Sequence, residues 1–410
     1  MIMVNELPQK HVKSGMALVF MILLLDSIGI AMLVPILPQL LQELTGHTIK
    51  EAVLHGSLLI TSYAAMQFLF APLVGAASDK WGRRPILLIS VLTFAIDNLI
   101  CALAGSYLFL LVGRILAGIS GASYTTCMAY IADVSHKKNL TKNFSMIEIA
   151  FGIGFVIGPV IGSFLGTINV RCPFYAAAAL ALVNFILSWW FLPETLPLDQ
   201  RRNINWIKSN PINALLKLKQ YPTVKYIAAT DFFYAMSVNV WLIWSYISVA
   251  RYQWTPNHIG LSLMIFSIGQ IFVTLLILPY LANRMTDKKL ALLGLSIVTI
   301  SYVGYAFAIT EWMVYVVFFI TLLEFVAPAP LRSIAAAQVS KSHQGEVQGT
   351  IASLRSLTAI IAPVIYAIIF SYFSNNNVLV NFLGMPFIIA FVFSVISLMI
   401  FYKGVIKKTT

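Results

Sequence analysis

The chain has 410 residues, 59% of them hydrophobic and only 10% charged, with a mean hydropathy of +0.86. So much apolar surface cannot be hidden inside a water-soluble domain of this length, which excludes a soluble enzyme or binding module and leaves a bundle of membrane-spanning helices. The formal net charge of +12 would suit nucleic acid only as a basic face on a soluble module, and none is visible.

In chain order, Lys10, His11 and Lys13 precede an apolar run long enough to span a bilayer. That run has no small-residue cleavage site, so no cleaved signal peptide is expected. Spans are expected at 15–41, 54–77, 85–105, 107–132, 145–167, 172–192, 224–248, 258–281, 289–309, 313–336, 350–373 and 380–402. Between the sixth and seventh lies the one long loop, 193–223, with PETLPLDQRRN and KSNPINALLKLKQYP. Its proline, asparagine and charge mark a linker between two six-helix halves, 1–192 and 224–410. Within it, INALLKLKQ fits either an amphipathic surface helix or a plain solvated linker.

Twelve spans put both termini on one side. All but six of the 27 lysines and arginines fall on that side; Lys50, Arg171 and Arg251 fall opposite, and Arg114, Arg332 and Arg355 within spans. By the positive-inside rule the termini are cytoplasmic, and the basic balance is a topology signal.

The densest charge is in GAASDKWGRRP at 75–85, where Asp79, Lys80, Arg83 and Arg84 fall in six positions. An echo begins at Pro279 as PYLANRMTDKKLAL, setting Asn283 against Asp79, Arg284 against Lys80 and Lys288 against Arg84. The same offset carries Pro159 to Pro363, and an offset one larger carries Asp26 to Asp231. Agreement of three offsets supports two duplicated, parallel six-helix halves. The cysteines (Cys101, Cys127, Cys172) lack metal or redox spacing and read as small packing residues.

Twelve spans, a long central loop and GAASDKWGRRP after the second span resemble the major facilitator superfamily. LFLLVGRILAGISGA resembles its span-four motif, with Arg114 inside it, and GIGFVIGPVIG at 152–162 resembles the span-five motif of its drug/proton antiporter branch. LDSIGIAMLVPILPQLLQEL, SYAAMQFLFAPLVG and KSHQGEVQG are similar to the tetracycline/proton antiporters. The resemblance implies an all-α membrane protein of twelve transmembrane helices in two pseudo-symmetric halves. It further implies export of a small amphipathic, drug-like molecule against protons, with no cofactor beyond the proton gradient. The expected setting is a monomer in the inner (cytoplasmic) membrane, with a small-molecule substrate, protons and lipid as partners. By matched position, Asp26 is the family's span-one acid, Gln67 its span-two glutamine, Asp97 its span-three acid and Arg114 its span-four arginine. Two positions depart: span eight reads FSIGQIF, with Gln270 near the place of a histidine, and LALLGLSIVTISYVGYAF in span nine has no acid.

A charge at bilayer depth costs several kcal/mol on the milder insertion scales, so it faces a cavity or a partner, or is neutral. Asp26 lies about 11 residues into its span, roughly 16 Å deep, and Asp97 about 12 residues, roughly 18 Å. Asp26 is expected to load and release a proton. Asp97 and Arg114 are expected to form a structural pair. Glu324 precedes Pro328 and Pro330, which should break span ten; an acid beside such a break is a candidate for binding a proton or a cationic substrate group. Asp231 reads equally as cavity-lining or as an interfacial cap, and Arg332 and Arg355 as snorkelling or gate-pairing cations. The span-seven aromatics Phe232, Phe233, Tyr234, Trp241, Trp244 and Tyr246 are expected mostly at the lipid face or the interface. Gly154, Gly158 and Gly162, with Pro159 among them, give a small-residue face whose close packing is compatible with a sliding seam between halves.

At the membrane surface, Gly75, Asp79, Arg83 and Arg84 are expected to act as a gating latch. Gly75 would allow close helix approach, Asp79 would cap a helix of the other half or pair with an arginine, and the arginines would anchor the turn. Competing readings are uptake of a nutrient, export of a metabolite or siderophore, a non-transporting sensor, and a membrane enzyme. The six histidines lie at loops or span ends and form no nucleophile–base or metal cluster. A sensor would need an output domain larger than the one long loop.

Overall fold

Residues 9–135, 140–201, 222–338, 344–374 and 382–407 are described by the computed structural model. Among the described residues, twelve helical stretches are long and apolar enough to cross a membrane. They are Gly15–Leu33, Ile49–Trp81, Arg83–Leu103, Tyr107–Val134, Ile149–Ile168 and Cys172–Phe191, then Val224–Tyr252, Pro256–Ala282, Asp287–Phe307, Glu311–Ala335, Ser353–Phe373 and Met385–Ile406. No strand occurs among the described residues, as hydrocarbon requires when backbone groups must be satisfied within each segment. Most of the central linker, including INALLKLKQ, lies outside the described residues.

Two spans differ in their boundaries from expectation. The first span ends at Leu33, not near 41, because Pro35 has no N–H to offer the Ala31 carbonyl. A separate helix, Leu37–Thr45, follows and closes on left-handed Gly46. The second span starts earlier and ends later than expected. At its start, Glu51 accepts from the backbone N–H and the hydroxyl of Thr48, both at 3.1 Å, as a capping box. It then runs 33 residues to Trp81, about 50 Å at helical rise, so Asp79 and Lys80 are helical.

Three spans of the second half are interrupted. Span seven tightens to a 3-10 turn at Asn239–Ile243, span eight widens to a π turn at Val273–Ile277, and span ten tightens to a 3-10 turn at Leu322–Val326. The last has a clear cause. Pro328 cannot donate to the Glu324 carbonyl, which accepts from the Ala327 N–H at 2.9 Å instead.

The helices group into two compact units. The first comprises Met1–Gly46, Ser62–Asn210 and Pro256–Met264; the second comprises His47–Thr61, Pro211–Thr255 and Ile265–Thr410. Each unit therefore takes a short piece of a span whose remainder belongs to the other. In the first, Val19, Ile22 and Leu23 pack with Leu87 and Val91 of span three, Cys127 and Tyr130 of span four, and Ala150 of span five. In the second, Thr61 donates to the Ile360 carbonyl at 3.1 Å, and Lys50 donates to the Ser374 carbonyl.

The span-seven aromatics depart from the lipid-facing expectation. Tyr234, Trp244 and Tyr246 are buried. Trp241 and Trp244 stand edge-on to each other at 5.1 Å and both lie against Tyr305, Phe318 and Phe387. Hydropathy could not separate these faces, since an aromatic ring suits a helix–helix core as well as lipid. The lipid-compatible surface is built instead from residues such as Leu108, Trp190 and Ile309.

Candidate functional site

In the first unit, spans one to four carry a row of polar groups. Tyr63 and Gln67, one turn apart on span two, face the glycines of span four. A Cβ on Gly118 would lie 2.4 Å from the Tyr63 carbonyl, and one on Gly121 would lie 2.6 Å from the Tyr63 hydroxyl. Gln67 Nε2 donates to the Gly121 carbonyl at 3.2 Å. Asp97 is fully buried; its Oδ1 accepts from Arg114 Nη2 at 3.2 Å, while its Oδ2 has no partner. The same Arg114 nitrogen lies 3.4 Å from Cys101 Sγ. The Tyr63 phenol is within electrostatic reach of Asp26, Asp97 and Arg114. Asp26 itself is half-buried and makes no hydrogen bond or ion pair among the described residues. Tyr63 is the member of this row that sequence reading missed; SYAAMQ offers a signal only through its four-residue spacing to Gln67.

In the second unit the acids divide. Asp231 is held by Arg355 through two bonds, Nε to Oδ2 at 2.6 Å and Nη2 to Oδ1 at 2.5 Å. Arg355 therefore pairs with Asp231 inside this unit. Glu324 stands apart, 1% exposed, with Oε2 lacking any hydrogen-bond partner. The phenols of Tyr234, Tyr302 and Tyr305 are its electrostatic neighbours. Gln270 is exposed.

At the turn between spans two and three, Arg83 is the hub. Its Nη1 donates to Asp79 Oδ1 at 2.5 Å and Ser78 Oγ at 2.7 Å, and its Nε donates to Asp133 Oδ2 at 3.1 Å. Arg84 Nη2 donates to the Trp189 carbonyl at 2.7 Å, anchoring the turn on span six. Asp79 therefore pairs with an arginine one turn away. Gly75 is not sterically demanded, since a Cβ there would meet Thr125 Oγ1 at an ordinary 3.5 Å.

The span-five glycines face span one. A Cβ would lie 2.0 Å from Ser27 Oγ at Gly154, 2.8 Å from the Ala31 Cβ at Gly158, and 2.1 Å from the Met32 carbonyl at Gly162. This is close backbone packing inside one unit, fixed further by Ser27 Oγ donating to the Ala150 carbonyl at 3.1 Å. The Pro159 carbonyl and Ser163 Oγ lie 2.7 and 2.5 Å from where a Gly260 Cβ would be. Among the described residues no group of His, Cys, Asp and Glu is placed to hold a metal ion.

Comparison with known proteins agrees with this architecture. The family model described as Major Facilitator Superfamily matches residues 19–363 and 227–409. The chain is 32% identical over 363 residues to the class C tetracycline resistance protein of Escherichia coli, covering 88% of this chain and 91% of that one. It is 26% identical over 352 residues to multidrug resistance protein 2 of Bacillus subtilis, covering 84% and 85%. In fold it is similar to a crystal structure of a bacterial homologue of the human lysosomal transporter Spinster. The TM-score is 0.79 at 13% identity, covering 97% of each chain. A twelve-helix, all-α membrane chain with these relatives is a transporter and not an enzyme, and it belongs to the Major Facilitator Superfamily, in the neighbourhood of that family's drug/proton antiporters.

Proposed function

We propose that this protein is a proton-coupled antiporter that exports a small amphipathic, drug-like molecule by alternating access of its N-terminal half (1–192) and C-terminal half (224–410) about a linker at 193–223. The carrying observation is Asp26, a carboxyl near the middle of the first span that makes no ion pair among the described residues, whereas its repeat counterpart Asp231 is paired with Arg355. A carboxyl with no fixed counter-charge at bilayer depth is stable as the neutral acid and can surrender its proton when a cavity wets it or a substrate displaces it. In this reading Asp26 and Glu324 carry protons. Gln67 and the Asp97–Arg114 pair shape the substrate region, and Asp79, Arg83 and Arg84 hold the gate.

The relatives' names point to drugs, tetracycline among them. The missing span-eight histidine and span-nine acid argue for a substrate range that differs from theirs. The lysine and arginine distribution supports cytoplasmic termini in an inner membrane. The protein works as a monomer, with the proton gradient as its energy source.

Purified protein in liposomes tests this. A tetracycline gradient should move protons in the opposite direction, and a protonophore should stop uphill drug movement. Drug and protons moving the same way would replace the reading with symport. Binding of drug without proton flux would replace it with a sensor.

A further inference from the structure

Span six ends at Phe191, and the chain leaves it through Pro193-Glu194-Thr195. Glu194 does not turn to solvent: its side chain is only 27% exposed. Its Oε1 accepts from the backbone N–H groups of Arg83 (2.9 Å), Thr195 (2.9 Å) and Leu196 (3.0 Å), and its Oε2 from that of Arg84 (3.2 Å). Arg201 Nη2 lies 3.9 Å from Oε2.

Two of those donors are the first amides of span three, which no neighbour in sequence satisfies. The residue before them is Gly82, at φ +103°, with no side chain to cap the helix. A Cβ on Gly82 would lie 2.2 Å from Glu194 Oε2. The glycine thus leaves open the capping position that an acid 111 residues ahead of Arg83 fills, and a carboxylate there is favoured by the helix dipole. Thr195 adds a second tie: its hydroxyl donates at 3.2 Å to Asp133 Oδ2, the oxygen that also accepts from Arg83 Nε.

We infer that Glu194 is a positioning residue for transport, clamping the start of the connecting segment onto the span-two/span-three turn. Turn, end of span four and segment 194–201 then move as one body. The start of span three fixes where Arg83 sits, and Arg83 bonds both Asp79 and Asp133. Movement of the connecting segment therefore reaches that network through Glu194 and Thr195 and does not dissipate in the loop.

The full chain in lipid nanodiscs provides the test, by amide hydrogen exchange of wild type, Glu194→Ala, Glu194→Gln and Thr195→Val. Glu194→Ala should raise exchange at 79–86 about tenfold and raise it at 130–135, with 150–165 unchanged. Glu194→Gln keeps an acceptor oxygen and should recover most of the protection. Thr195→Val should loosen 130–135 alone. Exchange altered only at 193–201 overturns the inference. In liposomes with tetracycline as probe, Glu194→Ala should lower kcat about tenfold with KM within about twofold. An unchanged kcat, or a change in KM alone, also overturns it. If wild type moves no tetracycline, the antiport reading fails separately and the exchange result still decides.

Discussion

Arg355 grips Asp231 through two parallel hydrogen bonds of 2.6 and 2.5 Å. The carboxylate is buried and the guanidinium 30% exposed. Removing Arg355 strands a buried carboxylate, and removing Asp231 takes away the bidentate partner of the guanidinium. With Arg355 partly in water, each of Asp231→Ala and Arg355→Ala should cost about 2 kcal/mol, below the range for fully buried pairs. The double variant should recover most of that loss. Thermal unfolding in detergent checks the cycle; additive losses would mean that the two residues act independently.

The glycines make opposite predictions. Gly158→Ala forces a methyl into Ala31 Cβ at 2.8 Å and the Ile28 carbonyl at 2.9 Å, so span five must move off span one at a cost of about 1–3 kcal/mol. Gly75→Ala meets nothing closer than 3.5 Å and gains helix propensity, so it should change stability by less than about 0.5 kcal/mol. Comparing melting temperatures of the two variants separates a packed glycine from a permissive one.

The twelve spans were legible because hydropathy reports burial from water at this length. Local breaks were less so. Ending the second span near 77 placed Asp79 in a loop and hid its one-turn spacing to Arg83. Glu324 was marked by Pro328, and the structure locates the break at Glu324 itself through the lost i→i−4 bond. The bond from the Arg83 amide to Glu194 spans 111 residues, and no periodicity in a single sequence encodes such a contact. Tyr63 stayed silent for a related reason: a tyrosine in an apolar run reads as packing until Gly118 and Gly121 are seen against it.

Asp26 should be separable from substrate binding. Asp26→Asn keeps the shape and removes the ionisable group, so tetracycline binding should stay within about threefold while drug-driven proton movement falls at least about tenfold. Isothermal titration alongside a pH-sensitive dye in liposomes reads both. Loss of both together would make Asp26 a substrate contact, and loss of neither would remove it from the mechanism.

Glu324 allows the sharpest test because it makes no ion pair among the described residues. Among the groups near its carboxyl are three phenols, and Oε2 is without a hydrogen bond. A neutral acid sits there at little cost, whereas an unpaired carboxylate would cost several kcal/mol. Glu324→Gln reproduces the neutral acid in size and hydrogen-bonding capacity, so the variant should fold with a melting temperature within a few degrees of wild type, a shift of less than about 1 kcal/mol. If Glu324 exchanges a proton during the cycle, the same variant should still exchange labelled tetracycline across the membrane with no proton gradient, and should fail to accumulate it against one. Glu324→Ala adds a cavity beside the 3-10 turn and should lose about 2–3 kcal/mol in addition, so the pair distinguishes volume from charge. Full proton-driven accumulation by Glu324→Gln would show the residue to be a packed neutral acid with no part in coupling.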